Sequence, residues 1–180
     1  ISLDLSQVFL VVVPLLIISD VAVIPLPDFK QKMVQIGYLA RTANLLGIET
    51  PKIACIAPSE QLLPNVISST EGALLAKMAD RGQLGNVVVD GPLSLDVALY
   101  KEVAEHKKVK GSSVAGDPDC LLFPNLESAN VFFKSVTHLC GGELAAMVMG
   151  TKVPCVLTSR GDTSKTKLFS IALACLAVKK

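Results

Sequence analysis

Tryptophan is absent from this sequence, aromatic residues make up only 4% of it, and the formal net charge is +1. Domains that bind nucleic acid usually carry an excess of Lys and Arg, often with aromatic side chains on which bases stack. A near-neutral chain with few aromatic residues therefore does not suggest a nucleic-acid partner. With 51% hydrophobic and 18% charged residues, the composition is typical of a densely packed globular domain.

The short motifs of common nucleotide-binding and hydrolytic sites are also missing. The sequence contains no GxGxxG fingerprint, no GxxxxGK[ST] phosphate loop and no GxSxG nucleophile elbow. Its five cysteines are an odd number without a CxxC pair, and it has two histidines. We therefore expect no metal site, no disulfide framework, and a reducing, cytoplasmic location in which cysteines within apolar runs pack as small hydrophobic residues.

No apolar run is long enough to suggest a membrane span. The run from Val8 to Ile18 is shorter than the ~20 residues that cross a bilayer. It also lacks the preceding Lys or Arg of a signal peptide. We expect no membrane partner.

The same apolar run predicts two β-strands. Its β-branched residues favour strands at about Val8–Val13 and Leu15–Ser19, with only Pro14 between them. Two strands need a turn, so we expect a segment to be absent within residues 3–15. Residues 1–19 are interpreted as the remnant of an N-terminal region.

From residue 20 to residue 180, short apolar strands alternate with helical patterns. Asp28 is expected to cap the first helix and Gly47 to end it. This alternation predicts one α/β domain with a mostly parallel sheet and helices on both faces. The last helix is expected to pack back on the N-terminal region.

One stretch near the C-terminus combines groups that bind anions. Val153 to Leu157 is an apolar run that predicts a buried strand, and Thr158-Ser159-Arg160-Gly161-Asp162 leads from it into the last helical pattern. Hydroxyls, an arginine and the N–H groups of a helix start are the donors that hold phosphate. The alternative is an ordinary turn with a capping Asp162 and a surface Arg160.

Polar residues follow three of the predicted strands. They are Asp90-Gly91-Pro92, Pro124-Asn125 and Thr158-Ser159-Arg160. Because the carboxyl ends of parallel strands share one edge of a sheet, we expect these three segments to line one cleft. Lys134, one helical turn after Asn130, is a further candidate for an anionic ligand, although a solvated lysine fits the pattern as well.

Three segments of the sequence resemble the phosphate acetyl/butyryl transferases, most closely the phosphate butyryltransferase branch. They are GNVVVDGPLSLDVAL (85–99), VAGDPDCLLFPNLESANVFFKS (114–135) and KVPCVLTSRGDTSKTKLFSIALA (152–174). The resemblance implies the reaction of acyl-CoA with inorganic phosphate to give acyl phosphate and CoA. It also implies a two-domain fold like that of isocitrate and isopropylmalate dehydrogenases, a homodimer, and CoA as substrate without a tightly bound cofactor.

The same resemblance implies roles for individual residues. Ser159 and Arg160 match the phosphate-binding Ser-Arg pair of the family, and Asn130 and Lys134 match its helix after the Pro-Asn turn. The carboxylate that acetyltransferase relatives carry early in the last helix is missing, and Asp162 is the nearby acid. Asp162 is thus a candidate base or a helix cap. The alternatives are a non-catalytic module that binds acyl-CoA and a dehydrogenase-like protein acting on phosphorylated acids.

Overall fold

The computed structural model describes residues 6–12 and 15–178, and side chains of the first strand only at Val8. Within these ranges the chain forms six strands and six helices. The strands are β1 (Ser6–Val12), β2 (Leu15–Ser19), β3 (Lys52–Ile56), β4 (Val88–Leu93), β5 (Cys120–Leu122) and β6 (Leu144–Met149). The helices are α1 (Phe29–Leu45), α2 (Ile67–Asp80), α3 (Leu95–Leu99), α4 (Lys101–His106), α5 (Leu126–Leu139) and α6 (Ser164–Val178).

All six strands lie in one sheet in the order β4-β3-β5-β2-β1-β6. Strands β4, β3, β5 and β2 run parallel, and β1 is antiparallel to both β2 and β6. The predicted α/β fold with a mostly parallel sheet is therefore confirmed. Val12 pairs with Leu15, and the turn expected at Pro14 falls outside the described residues. The division of the chain at residue 19 stays a prediction, although strands on both sides of it pair within this sheet.

Helices cover the sheet on both faces because each connection between parallel strands is a helical crossover. One buried cluster joins Ile36 and Leu39 of α1, Leu75 of α2 and Leu173 of α6. The cluster on the other face includes Val97 of α3, Ala104 of α4, and Ala129 and Phe133 of α5. Strands buried from both sides need apolar residues at nearly every position, as in the Ile53–Ile56 run.

Local signals start and end α1 as the sequence predicts. Asp28 Oδ1 accepts the N–H of Gln31 at 2.7 Å, and Gln31 Oε1 accepts the N–H of Asp28 at 2.9 Å. This reciprocal capping box satisfies backbone donors that the helix itself leaves unpaired. At the other end Gly47 has a φ of +91°, which a residue without Cβ adopts at little cost.

The prediction of a strand at Val153–Leu157 is wrong. This segment is an irregular chain held to β6 by one antiparallel bridge, in which the N–H of Val148 donates to the carbonyl of Cys155 at 2.8 Å. Its large apolar side chains, Val153 and Leu157, are 64% and 60% exposed. The strand in this part of the chain is instead β6, Leu144–Met149. Its sequence alone is compatible with either a strand or the end of a helix.

Helix α6 packs on β6 and differs from the other helices in having apolar residues all around it. On the inner side Ser170 Oγ accepts the N–H of Ala146 at 2.9 Å, beside the buried Leu173. On the outer side Leu168 is 63% and Ile171 54% exposed. A helix with this distribution is usually covered on both sides. The predicted packing of α6 on an N-terminal region stays a prediction.

Among the described residues, no helix is both long and apolar enough to cross a membrane.

The predicted packing role of the cysteines holds for two of the three that lie in apolar runs. Cys55 and Cys120 are buried, whereas Cys155 is partly exposed. Burial away from water raises the pKa of the Cys55 thiol to about 12 and also raises that of Cys120. Both thiols therefore stay protonated at neutral pH.

Candidate functional site

Residues 159–162 form a closed turn immediately before α6. The N–H of Ser159 donates to Asp162 Oδ2 at 2.6 Å, and the N–H of Asp162 donates to the carbonyl of Ser159 at 3.2 Å. The Ser159 hydroxyl accepts the N–H of Gly161 at 3.4 Å. These bonds hold the turn while leaving the exposed Arg160 side chain outside it.

Thr163, rather than Asp162, caps α6. Its Oγ1 accepts the N–H of Thr166 at 3.1 Å, which is the bond from N-cap to third helical position. The sequence-based expectation of a capping role for Asp162 is therefore wrong, because its carboxylate is engaged by the turn. The helix start still brings a positive partial charge to this turn.

The turn borders a groove of about 500 Å³ whose opposite wall is the C-terminal half of α5. That wall contributes Lys134, Thr137 and His138. Lys165 also lines the groove, where it is ion-paired with Glu143. The Lys134 ammonium lies 5.2 Å from the centre of the Phe133 ring. The fold thus brings together Lys134, Ser159 and Asp162, which are three of the predicted site residues. We call this cavity the Ser159 groove.

The expectation that three polar strand ends share one edge is wrong. The Ser159 groove includes Leu144, the first residue of β6. Since β6 runs parallel to β2, this groove lies at the amino edge of the sheet. Asn125 follows β5 at the carboxyl edge. The segment after β6 turns back along that strand and carries Ser159 to the opposite side.

Asp90, Gly91 and Pro92 lie within β4 and not in a cleft. Asp90 pairs with Ala54 of β3, and its Oδ1 accepts the N–H of Gly91 at 2.8 Å. A Cβ on Gly91 would lie 2.6 Å from the Cβ of Cys55, and Pro92 is buried. Close packing of β4 against β3 and α2 therefore accounts for this motif.

The remaining predicted site residues do not line the Ser159 groove, although Thr158 and Arg160 directly flank Ser159 in the sequence. Asn125 caps α5, its Oδ1 accepting the N–H of Ser128 at 2.9 Å. Asn130 Nδ2 donates to the carbonyl of Val21 at 3.0 Å and so joins α5 to the loop after β2. Thr158 is half-buried just before the turn.

Two polar groups that the sequence did not single out are buried. Asp20, 3% exposed, accepts the N–H groups of Ala22, Val23 and Ile24 at 2.9–3.1 Å. The Lys32 ammonium, on a side chain 6% exposed, lies 2.5 Å from Glu71 Oε2. The position of Asp20 directly after an apolar strand could have indicated its role in the sequence. Nothing in the sequence indicates that Lys32 pairs with Glu71.

Comparison with known proteins identifies the family. Residues 3–175 match the family described as Phosphate acetyl/butaryl transferase. The chain belongs to this family. It is 44% identical over 162 residues to the phosphate butyryltransferase of Clostridium acetobutylicum, covering 90% of this chain and 54% of that protein. It is 42% identical over 159 residues to the phosphate acetyltransferase of Thermotoga maritima, covering 88% of this chain and 54% of that protein.

A solved structure has the same arrangement of elements. The branched-chain phosphotransacylase from Enterococcus faecalis V583 superposes with a TM-score of 0.88 at 30% identity, over 97% of this chain and 63% of that chain. The chain therefore spans about half the length of the curated relatives it matches.

Proposed function

We propose that this chain belongs to a phosphate acyltransferase that moves an acyl group between CoA and inorganic phosphate. Membership of the family and the similarity to phosphate butyryl- and acetyltransferases support this activity. The observation that carries it is the Ser159 groove, where a hydroxyl, a helix start and Lys134 surround one cavity. Such a combination of donors and positive charge is suited to a phosphate group.

Three residues that line the groove and the neighbouring Arg160 have distinct tasks in this proposal. Arg160 is exposed in the turn and does not line the groove; in this proposal it reaches the phosphate from outside and binds two of its oxygens through the planar guanidinium. Ser159 and the N–H groups at the start of α6 donate to the phosphate or to the oxyanion of the tetrahedral intermediate. Lys134 neutralises part of the phosphate charge from the opposite wall. Asp162 holds the turn and, through it, the position of Ser159.

The reaction needs no tightly bound cofactor in this proposal, since CoA and phosphate are substrates. Phosphate oxygen attacks the thioester carbon, the C–S bond breaks, and CoA leaves as the thiolate. A homodimer in the cytoplasm completes the proposal. The exposed outer side of α6 is suited to an association of this kind, because apolar helix faces are usually covered, and a second subunit is an alternative there to the N-terminal region expected from the sequence.

The test is phosphate binding to the 180-residue chain, measured by ³¹P NMR line broadening, together with CoA release from butyryl-CoA. We expect Arg160→Ala to weaken phosphate binding ~10- to 100-fold, from the loss of ~1.5–3 kcal/mol of charged hydrogen bonding. Arg160→Lys should keep part of the affinity. Arg81→Ala removes another exposed arginine, at the end of α2, as the matched control. Unchanged phosphate binding by Arg160→Ala would refute the assignment, and binding without turnover would favour a non-catalytic acyl-CoA module.

A further inference from the structure

The start of α6 carries a positive charge where the electrostatics of a helix favour a negative one. Lys165 is the second residue of α6, and the first turn of this helix contains no acidic residue. Because the N-terminus of a helix has a positive partial charge, a carboxylate there is stabilised and an ammonium is not. A group from outside the helix must therefore offset the charge of Lys165.

Glu143, directly before β6, is that group. Its Oε1 accepts a hydrogen bond from the Lys165 ammonium in an ion pair that joins the start of β6 to the start of α6. The same ammonium lies 5.6 Å from the centre of the Phe169 ring, one turn further along α6. An aromatic ring attracts a cation above its face. The carboxylate and the ring together determine where this ammonium lies.

Both members of the ion pair line the Ser159 groove, together with Ser159, Thr163 and Thr166. An ammonium beside several hydroxyl groups is well suited to bind a phosphate group. The carboxylate that contacts the ammonium repels the same ligand. The pair therefore brings a cation to the groove but adds no net charge to it.

The whole groove is close to electrically neutral for the same reason. Its lining contains Lys134, Lys165, Glu143 and Asp162, together with His138, and the charges of the two lysines and the two carboxylates cancel. Asp162 accepts the N–H of Ser159 and so closes the turn. Glu143 is therefore the carboxylate that can change the charge of the groove without opening this turn.

The ion pair is accessible enough to exchange partners. The side chains of Lys165 and Glu143 are 59% and 40% exposed. Ion pairs in contact with water are weak, because the surrounding water screens the attraction. The flexible stem of a lysine also allows its ammonium to move from one acceptor to another. A phosphate dianion that enters the groove can therefore compete with Glu143 for Lys165.

We propose that Glu143 determines how strongly the Ser159 groove binds phosphate. It acts through Lys165, whose charge it neutralises in the empty groove and for which it competes with a bound phosphate group. Glu143 thus weakens the binding of phosphate and of the acyl phosphate product, which favours release of that product. This inference rests on the proposed function, deepens it at the same site and adds no chemical step.

The test changes each charge separately and then both together, in the 180-residue chain. Glu143→Gln keeps an oxygen that accepts a hydrogen bond from Lys165 but removes the negative charge. At pH 8 and low ionic strength, we expect this variant to bind inorganic phosphate ~3- to 10-fold more tightly than the wild type, measured by ³¹P NMR line broadening. Lys165→Gln leaves the carboxylate unpaired and should weaken binding at least ~3-fold. The double variant has lost both charges and should bind phosphate within ~2-fold of the wild type.

Two controls separate this mechanism from a merely structural role of the pair. Asp80→Asn removes an exposed carboxylate that pairs with Lys77 outside the groove, and it should leave phosphate binding unchanged. At ~1 M NaCl, where the Debye length is ~3 Å, the difference between Glu143→Gln and the wild type should shrink. A structural role predicts weaker phosphate binding in both single variants and no such dependence on salt.

The outcomes also distinguish failure of this inference from failure of the proposed function. If Glu143→Gln binds phosphate no more tightly than the wild type, while Arg160→Ala binds it more weakly, only the role of Glu143 is overturned. An equal gain in Asp80→Asn overturns it as well, because the net charge of the chain would then explain the effect. If the wild type binds no phosphate at all, the proposed function fails, and this inference fails with it.

Discussion

The backbone N–H of Ser159 donates a 2.6 Å hydrogen bond to the carboxylate of Asp162, and this bond closes the turn that leads into α6. The carboxylate is therefore already engaged by the turn that presents Ser159. The oxygen that accepts this bond is directed toward the backbone of its own turn, so the geometry favours a positioning role for Asp162.

Substitution of Asp162 distinguishes a structural role from a role as base. We expect Asp162→Asn to keep phosphate binding within ~3-fold, because the side-chain oxygen still accepts the Ser159 N–H. Asp162→Ala removes the acceptor, and the loss of ~1 kcal/mol should weaken phosphate binding ~5-fold. Phosphate titrations followed by ³¹P NMR measure both. If Asp162→Asn binds phosphate normally and yet abolishes turnover, Asp162 is the base and the positioning role is insufficient.

Gly91 should matter for stability and not for ligand binding. A methyl group there would lie 2.6 Å from Cys55 Cβ and 3.1 Å from its carbonyl oxygen, so β3 and β4 would have to separate. We expect Gly91→Ala to lower the free energy of unfolding by ~1–3 kcal/mol, as measured by urea denaturation. Gly37→Ala is the control, because apart from its chain neighbours and the backbone of its own helix no atom lies within 4 Å of its added Cβ. Loss of phosphate affinity at unchanged stability would instead favour the binding role that the sequence suggested.

Removing one partner of the Lys32–Glu71 ion pair should lower the free energy of unfolding more than replacing both partners by apolar residues. Lys32→Met leaves the Glu71 carboxylate, whose side chain is 20% exposed, without its cation. We expect a loss of ~3 kcal/mol in the free energy of unfolding. The double variant with Glu71→Leu removes both charges and should regain most of that loss, which a double-mutant cycle in urea measures. A double variant as unstable as Lys32→Met alone would contradict this account.

Asp96 should make stability depend on pH in the acid range. Hydrogen bonds from Ser94 and Lys107 lower the pKa of the Asp96 carboxyl from 3.8 to about 2. A carboxyl with a depressed folded-state pKa stabilises the fold above its ordinary pKa, and this contribution is lost as the pH falls through about 2. Because Asp96 is 50% exposed, solvent limits the contribution to ~0.5 kcal/mol.

The check compares urea denaturation of the wild-type protein and Asp96→Asn at pH 7 and at pH 3. The difference between the two proteins should be larger at pH 7 and shrink at pH 3. Asp80→Asn, which removes an exposed helix pair with Lys77, serves as control. A difference that grows as the pH falls would have the wrong sign for this mechanism.

Local chemistry in the sequence determined the elements that depend on neighbouring residues. The capping box at Asp28, the cap at Asn125 and the stop at Gly47 need only a few adjacent residues, and all three are present. The alternation of apolar strands and helices likewise required α/β packing, because a sheet buried on both faces has no polar side. The family could be recognised because its motifs are contiguous.

Tertiary structure alone decided where those elements meet. The sequence of an apolar run such as Val153–Leu157 does not distinguish a buried strand from an exposed segment. Periodicity carries no information about which other residues cover the run. The return of this segment along β6 moved Ser159 to the amino edge, away from Asn125. Long-range pairs such as Lys32 with Glu71, 39 positions apart, depend on strand order. Strand order depends on how much apolar surface all strands and helices bury together, and a local sequence pattern does not determine this.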